Sequence, residues 1–270
     1  DFPSNVYPWL RLRTLGVTVR AIPANPQRGV TLEDVLAQLD SSTRLVALSS
    51  AQFATGARLD VARIGRELGA RGVLFCVDAI QTLGALPTSA EHVDFLVADA
   101  HKWLLGPQGM GILFVRRSRF ESLEPVLVGW KSVRSERDFV QHKLDFAPSA
   151  RRYEPGSLNA LGVVGLHAAL ELLQSIGIPA IAARIGQLRA AVVPELRSRG
   201  YEVLGGEAAN GSGIISFLRE GTDMPAIYRK LDAERCVVSL RQDPGGRHCI
   251  RIAPHFYNTH AELERLLELL

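Results

Sequence analysis

Two short stretches carry the residue types from which chemistry could be built. Val77-Asp78-Ala79-Ile80-Gln81 ends one apolar run, and about twenty residues later Ala98-Asp99-Ala100-His101-Lys102-Trp103 ends another. In open α/β sheets ligands bind beyond the carboxyl ends of the strands, so Asp78 and Lys102 are expected to project into one crevice. A carboxylate there keeps a pyridine-type nitrogen protonated and makes its ring an electron sink, while a lysine amine holds an aldehyde as an imine. The pair therefore suits a pyridinium cofactor. Each residue alone has a plainer reading: an Asp after a strand is commonly a helix N-cap, and a His-Lys pair is commonly part of a solvated loop. The joint spacing favours chemistry.

The elements that must hold these residues follow from periodicity. Thr31 with Glu33 and Asp34 forms a capped first turn leading into Val35, Leu36 and Leu39. Apolar runs at 44–48, 72–77, 94–97 and 110–115 predict strands, and residues 60–68 predict an amphipathic helix with Val61, Ile64 and Leu68 on one face. A short helical link is expected over residues 80–83, and Gly106-Pro107-Gln108-Gly109 must be a turn. The alternation predicts a mainly parallel sheet covered on both faces. Residues 117–155 are charged, aromatic and irregular, as expected of loops near a site mouth or a subunit interface. After a periodic helix over residues 161–176 the pattern changes. Helices at 181–197 and 224–234, strands at 213–218, 237–241 and 249–252, and a last helix capped by Thr259 with Glu262 predict a small α+β domain. The expected division is a large domain over residues 1–160 and a linking helix with a small domain over 161–270.

Composition narrows the partners. The chain has 270 residues, 47% apolar and 22% charged, enough for a sizeable core. A formal charge of +3 without basic clusters gives no electrostatic case for nucleic acid or an anionic membrane, so a small-molecule substrate is expected. Cys76, Cys236 and Cys249 form no close pair, which suits a reduced, cytoplasmic protein. The opening Asp1-Phe2-Pro3-Ser4-Asn5 lacks a methionine and has the character of a domain interior, so an N-terminally incomplete chain is expected.

With these motifs in view, the sequence resembles the fold-type I pyridoxal 5′-phosphate (PLP) enzymes of the class V aminotransferase group, which includes cysteine desulfurases and kynureninase-like and isopenicillin-epimerase-like enzymes. The resemblance covers nearly the whole chain. It implies that Lys102 carries PLP as a Schiff base, that Asp78 pairs with the pyridine nitrogen, that Gln81 bonds the phenolic oxygen and that His101 contacts the phosphate. Phe2 stands in the segment whose ring stacks on the cofactor, where many relatives have histidine. Residues 49–56 resemble a loop passing over the cofactor, with Phe53 where desulfurases tend to have asparagine. Glu154-Pro155-Gly156-Ser157-Leu158-Asn159 resembles the segment whose hydroxyl reaches the phosphate of a neighbouring subunit, so Gly156 and Ser157 imply a homodimer with a shared site. Arg251, in Cys249-Ile250-Arg251-Ile252-Ala253-Pro254, matches the substrate-carboxylate arginine, whose planar fork accepts a carboxylate in two parallel hydrogen bonds. Asp99 departs from the pattern, standing where relatives often place a phosphate-binding serine, and the family's Gly- and Thr-containing phosphate cradle would lie upstream of Asp1.

Among the reactions such enzymes perform, a class V transamination of a small amino acid is the expected one, with a related lyase or epimerase step close behind. A desulfurase needs a nucleophilic cysteine on a mobile loop before the carboxylate arginine. Only nine residues separate Arg241 from Arg251, and Cys249 lies within a predicted strand, which ranks desulfuration second. A non-catalytic scaffold is the reading from another class. Retention of Lys102, Asp78, Gln81 and Arg251 weighs against it.

Overall fold

The computed structural model describes residues 1–206, 211–243 and 245–270. Short helices α1 (Tyr7–Arg11) and α2 (Leu32–Leu36) precede strand β1 (Leu45–Ser49). Helix α3 (Val61–Ala70) and strands β2 (Leu74–Asp78), β3 (Phe95–Asp99) and β4 (Gly111–Val115) follow. The order in the sheet is β1-β2-β3-β4, with the first three strands parallel and β4 antiparallel to β3. The parallel strands end together, which aligns Ser49 with Asp78 and Asp78 with Val97.

Local chemistry explains the elements. Thr31 and Asp34 form a reciprocal capping box on α2, and the Asp60 side chain accepts from Arg63 N at the start of α3. Strand β2 alternates in burial, sending Phe75 and Val77 into a core with Ile64 and Leu68. Asp94 anchors the entry to β3: one carboxylate oxygen accepts from Phe75 N at 2.9 Å and the other from Arg119 Nε at 2.7 Å. Residues 80–83 make a single turn closed by Leu83 N donating to Ala79 O at 2.8 Å, shorter than the helical link expected from the sequence.

Helix α4 (Ala160–Ile176) bends by 77° into α5 (Ile178–Ser198). Gly177, at φ 87, makes the break, and the proline after Ile178 is accommodated in the first turn of α5. Strands β5 (Glu202–Val203) and β6 (Ile215–Leu218), helix α6 (Met224–Ala233), strands β7 (Ser239–Gln242) and β8 (His248–Ile252) and helix α7 (His260–Leu269) complete the chain. This second sheet has the order β5-β6-β8-β7 and is antiparallel throughout. Leu188, Leu196, Phe217, Leu231 and Ile250 build the core beneath its helices. The short edge strand β5 was not expected from the sequence. A third apolar cluster, with Trp103, Leu173, Ile185 and Ile214, joins the two sheets. No single helix among the described residues is long and apolar enough to cross a membrane.

Residues 53–57 are stitched to the second sheet. Phe53 O accepts from Arg251 Nη1 at 2.8 Å, Ala54 O accepts from the Ser216 hydroxyl, and Gly56 O accepts from Ser212 Oγ at 2.9 Å. Gly56 has φ 79, and a Cβ there would lie 2.3 Å from Ile214 O. Gly56→Ala is expected to cost about 2–4 kcal/mol, adding a backbone clash to the strain of positive φ, whereas Gly72→Ala, with φ 68 and open space, should cost only about 1 kcal/mol. Thermal melts of the two variants check this, and equal losses would contradict the close approach.

Candidate active site

Lys102 follows β3 in a turn and is half-buried, its Nζ lying 5.4 Å from the centroid of the Phe2 ring. Phe2 is held there by its neighbour: Asp1 Oδ1 accepts from Phe2 N and from Ser49 Oγ, both at 2.7 Å, which ties the segment to the end of β1. Phe53 meets Phe2 edge-on, with centroids 5.3 Å apart. Arg251 reaches the same loop from β8 through its bond to Phe53 O, while its buried Nε has no hydrogen-bond partner.

Asp78 closes β2 and accepts from Ile80 N at 2.9 Å, an N-cap-like bond made by one of its two carboxylate oxygens. Burial holds its pKa above the ordinary carboxylate value; the Ile80 N–H and the Lys102 charge pull down, and Asp99 pushes up. Lys102 is displaced the other way. Burial lowers its pKa first and the positive charge of Arg251 second, with Asp78 and Asp99 opposing and Arg241 adding to the fall. The amine is therefore more available as a free base than an exposed lysine. Arg251 is itself lowered by burial and by Arg241.

Gln81 is buried and committed on one side, its Oε1 accepting from Trp103 Nε1 at 3.2 Å. Trp103 O in turn accepts from His255 Nε2 at 3.1 Å, and Phe256 N donates to His255 Nδ1, so the hydrogen bonds assign a neutral imidazole with its proton on Nε2. Burial, which lowers the His255 pKa, agrees. His101 is exposed with Nδ1 3.7 Å from Asp99 Oδ2. Gly156 and Ser157 stand apart: Ser157 is exposed just before α4, and neither makes a hydrogen bond, ion pair or ring contact with Lys102, Asp78, Gln81 or Arg251. Cys249 is fully buried in the second core, where burial pushes its thiol up to about 11.

Sequence reasoning assigned no role to Asp1 or Arg241, and it noted Phe53 only as a departure. Alternation within a strand pair could have pointed to Arg241, because Arg241 pairs with Cys249, two residues from Arg251. Asp1 acts through tertiary contacts that no local pattern announces.

The opposed charges around Lys102 make a test. Arg251→Gln should move the pH midpoint for acylation of Lys102 upward, since a neighbouring cation is lost, and Asp78→Asn should move it downward. Peptide mass mapping across a pH series reads both shifts; two shifts of the same sign would contradict the arrangement.

Comparison with known proteins gives the wider setting. Residues 1–266 match the aminotransferase class-V family. A probable cysteine desulfurase of Methanothermobacter thermautotrophicus is 32% identical over 99% of this chain and 70% of its own length. The apo cysteine desulfurase of Thermococcus onnurineus superposes with a TM-score of 0.90 at 25% identity, covering 100% of this chain and 69% of that one. A cystine C–S lyase in complex with its product cysteine persulfide superposes at 0.87 with 26% identity, over 99% and 72% of the two chains. A variant of that lyase holds glycine covalently linked to its PLP cofactor. This chain thus spans about two thirds of the length of these relatives, with the α/β fold of PLP-dependent enzymes. On these matches, the chain belongs to the class-V aminotransferase family.

Proposed function

We propose that this protein is a PLP-dependent C–S lyase related to the cysteine desulfurases, breaking the C–S bond of a small sulfur-bearing amino acid by β-elimination. The observation that carries the reading is Lys102 itself, half-buried just beyond β3 with its Nζ 5.4 Å from the Phe2 ring and within electrostatic reach of Asp78 at the end of β2 and Arg251 on β8. The donor set fits the cofactor. Asp78 has no ion-pair partner among the described residues and would hold the pyridine nitrogen, Lys102 would anchor the aldehyde carbon, and Phe2 would lie against the ring. His101, with the Gly156–Ser157 segment of a second copy, is the proposed phosphate contact. PLP supplies an electron sink for the pair of electrons left at Cα when a proton is removed.

The chain's own groups do the rest. Arg251 exchanges its bond with Phe53 O for the substrate carboxylate and fixes the orientation of Cα. Lys102 Nζ, once free, takes the α-proton, and sulfur departs from Cβ with the C–S electron pair. Transamination, expected from the sequence, gives way here because the relatives named above are desulfurases and a C–S lyase. Cys249 lies buried, and burial raises the Cys76 and Cys236 thiols as well. Sulfur is therefore released to solvent in this reading, without transfer to any of these thiols.

The same reading includes a homodimer working in a reducing cytoplasm. Leu161 and Val164 are 88% and 68% exposed on α4, close in sequence to the exposed Ser157, and this apolar stripe is the expected seat of a second copy. In the presence of PLP, L-cysteine and water should yield sulfide, pyruvate and ammonia in equal amounts, and Lys102→Ala should abolish all three. Alanine as the product would instead place the sulfur on an acceptor thiol, and no turnover of any sulfur amino acid would overturn the proposal.

A further inference from the structure

The turn that carries Lys102 is held from outside. It closes on itself through Gly106 N donating to Ala100 O at 2.9 Å and Leu105 N donating to Lys102 O at 3.0 Å. Leu105 nevertheless adopts φ 56, a left-handed conformation that a branched side chain keeps only where its surroundings impose it. Trp103, in the middle of the turn, is buried, and other backbone comes close to it on two sides. A Cβ at Gly84 would lie 2.4 Å from Trp103 O, and one at Gly213 would lie 2.3 Å from Cη2 of the indole.

His255 supplies the remaining hold on Trp103, and no step described above uses it. Its side chain is buried, and its backbone is fixed by Asn258, whose Oδ1 accepts from His255 N at 2.8 Å and whose N–H donates to His255 O at 3.0 Å. Nδ1 accepts from Phe256 N at 2.8 Å, which leaves the proton on Nε2 to be donated to Trp103 O at 3.1 Å. The imidazole lies 5.0 Å from the indole and stacks on Tyr257 at 5.2 Å, so its plane is set as well as its position. His255 follows Arg251 by four residues, Trp103 follows Lys102 by one, and the Trp103 indole N–H goes on to Gln81. One hydrogen bond thus joins the end of β8, which carries Arg251, to the turn that carries Lys102.

We propose that His255 is a positioning residue for the amine site: its bond to Trp103 O holds the 100–106 turn at the depth that keeps Lys102 Nζ half-buried against Phe2. The inference rests on the reading of Lys102 as the reactive amine and adds the residue that sets its place. His255 acts through Trp103 alone. Without the imidazole donor the buried Trp103 carbonyl is left unpaired, and the turn relaxes toward water, taking Lys102 with it.

The test reads Lys102 rather than turnover. Acylation over a pH series without added PLP, followed by peptide mass mapping, gives the midpoint for Lys102. His255→Phe keeps an aromatic ring and loses the donor, and His255→Asn keeps an acceptor for Phe256 N but is too short to reach Trp103 O. Both should raise the midpoint by about half a pH unit or more, since Nζ gains water while Asp78, Asp99, Arg251 and Arg241 are unaltered. His255→Gln, whose amide nitrogen can stand in for Nε2, should reverse most of that rise. A residue that served packing alone would lower the melting temperature and leave the midpoint where it was. Unchanged midpoints in the folded variants, a rise that His255→Gln does not reverse, or failure of all three variants to fold would overturn the inference. None of these outcomes involves PLP, so they are separate from the fate of the Lys102 reading, which falls if borohydride labels a different lysine.

Discussion

The geometry of the site depends on one seam. Residues 53–57 pass between the two sheets, and three of their carbonyls accept from the second sheet or from the segment leading into it: Phe53 from Arg251, Ala54 from Ser216, and Gly56 from Ser212. Buried carbonyls without donors are costly, so the loop and the second sheet must dock together. The docking fixes how far Arg251 stands from Lys102. Glycine is required at position 56 because the backbones approach too closely for a side chain.

The same seam sets the electrostatics. Lys102 feels the charges of Asp78, delivered by the first sheet, and Arg251, delivered by the second, and burial is the largest influence on its proton affinity. Burial in a partly closed crevice lowers the Lys102 pKa, the direction that suits the amine chemistry proposed for it. Arg251 bonds the Phe53 carbonyl, and in the proposed reaction it would exchange that partner for the substrate carboxylate. Trp103, next to Lys102 in the chain, donates to Gln81 through its indole N–H and accepts from His255 through its carbonyl.

Much of this was legible in the sequence because it is local. Apolar runs ending at Asp78 and near Lys102 place both residues at strand ends, and the capping boxes at Thr31 and Thr259 were visible as residue spacings. The pairing of Asp1 with Ser49 was not legible, since it joins residues 48 apart in sequence. Gln81 was expected to serve the cofactor, yet its carbonyl is taken by Trp103, a contact set by how residues 79–85 and the turn after β3 pack against one another. Nor does the sequence place Ser157. It is exposed in the single chain, and the resemblance alone suggested its use by a neighbouring copy.

Borohydride reduction of the PLP-loaded protein followed by peptide mass mapping tests whether Lys102 is the covalent anchor of PLP. A pyridoxyl label is expected on the peptide containing Lys102, and its loss in Lys102→Ala. A label on another lysine, or none in a folded protein saturated with PLP, would contradict it.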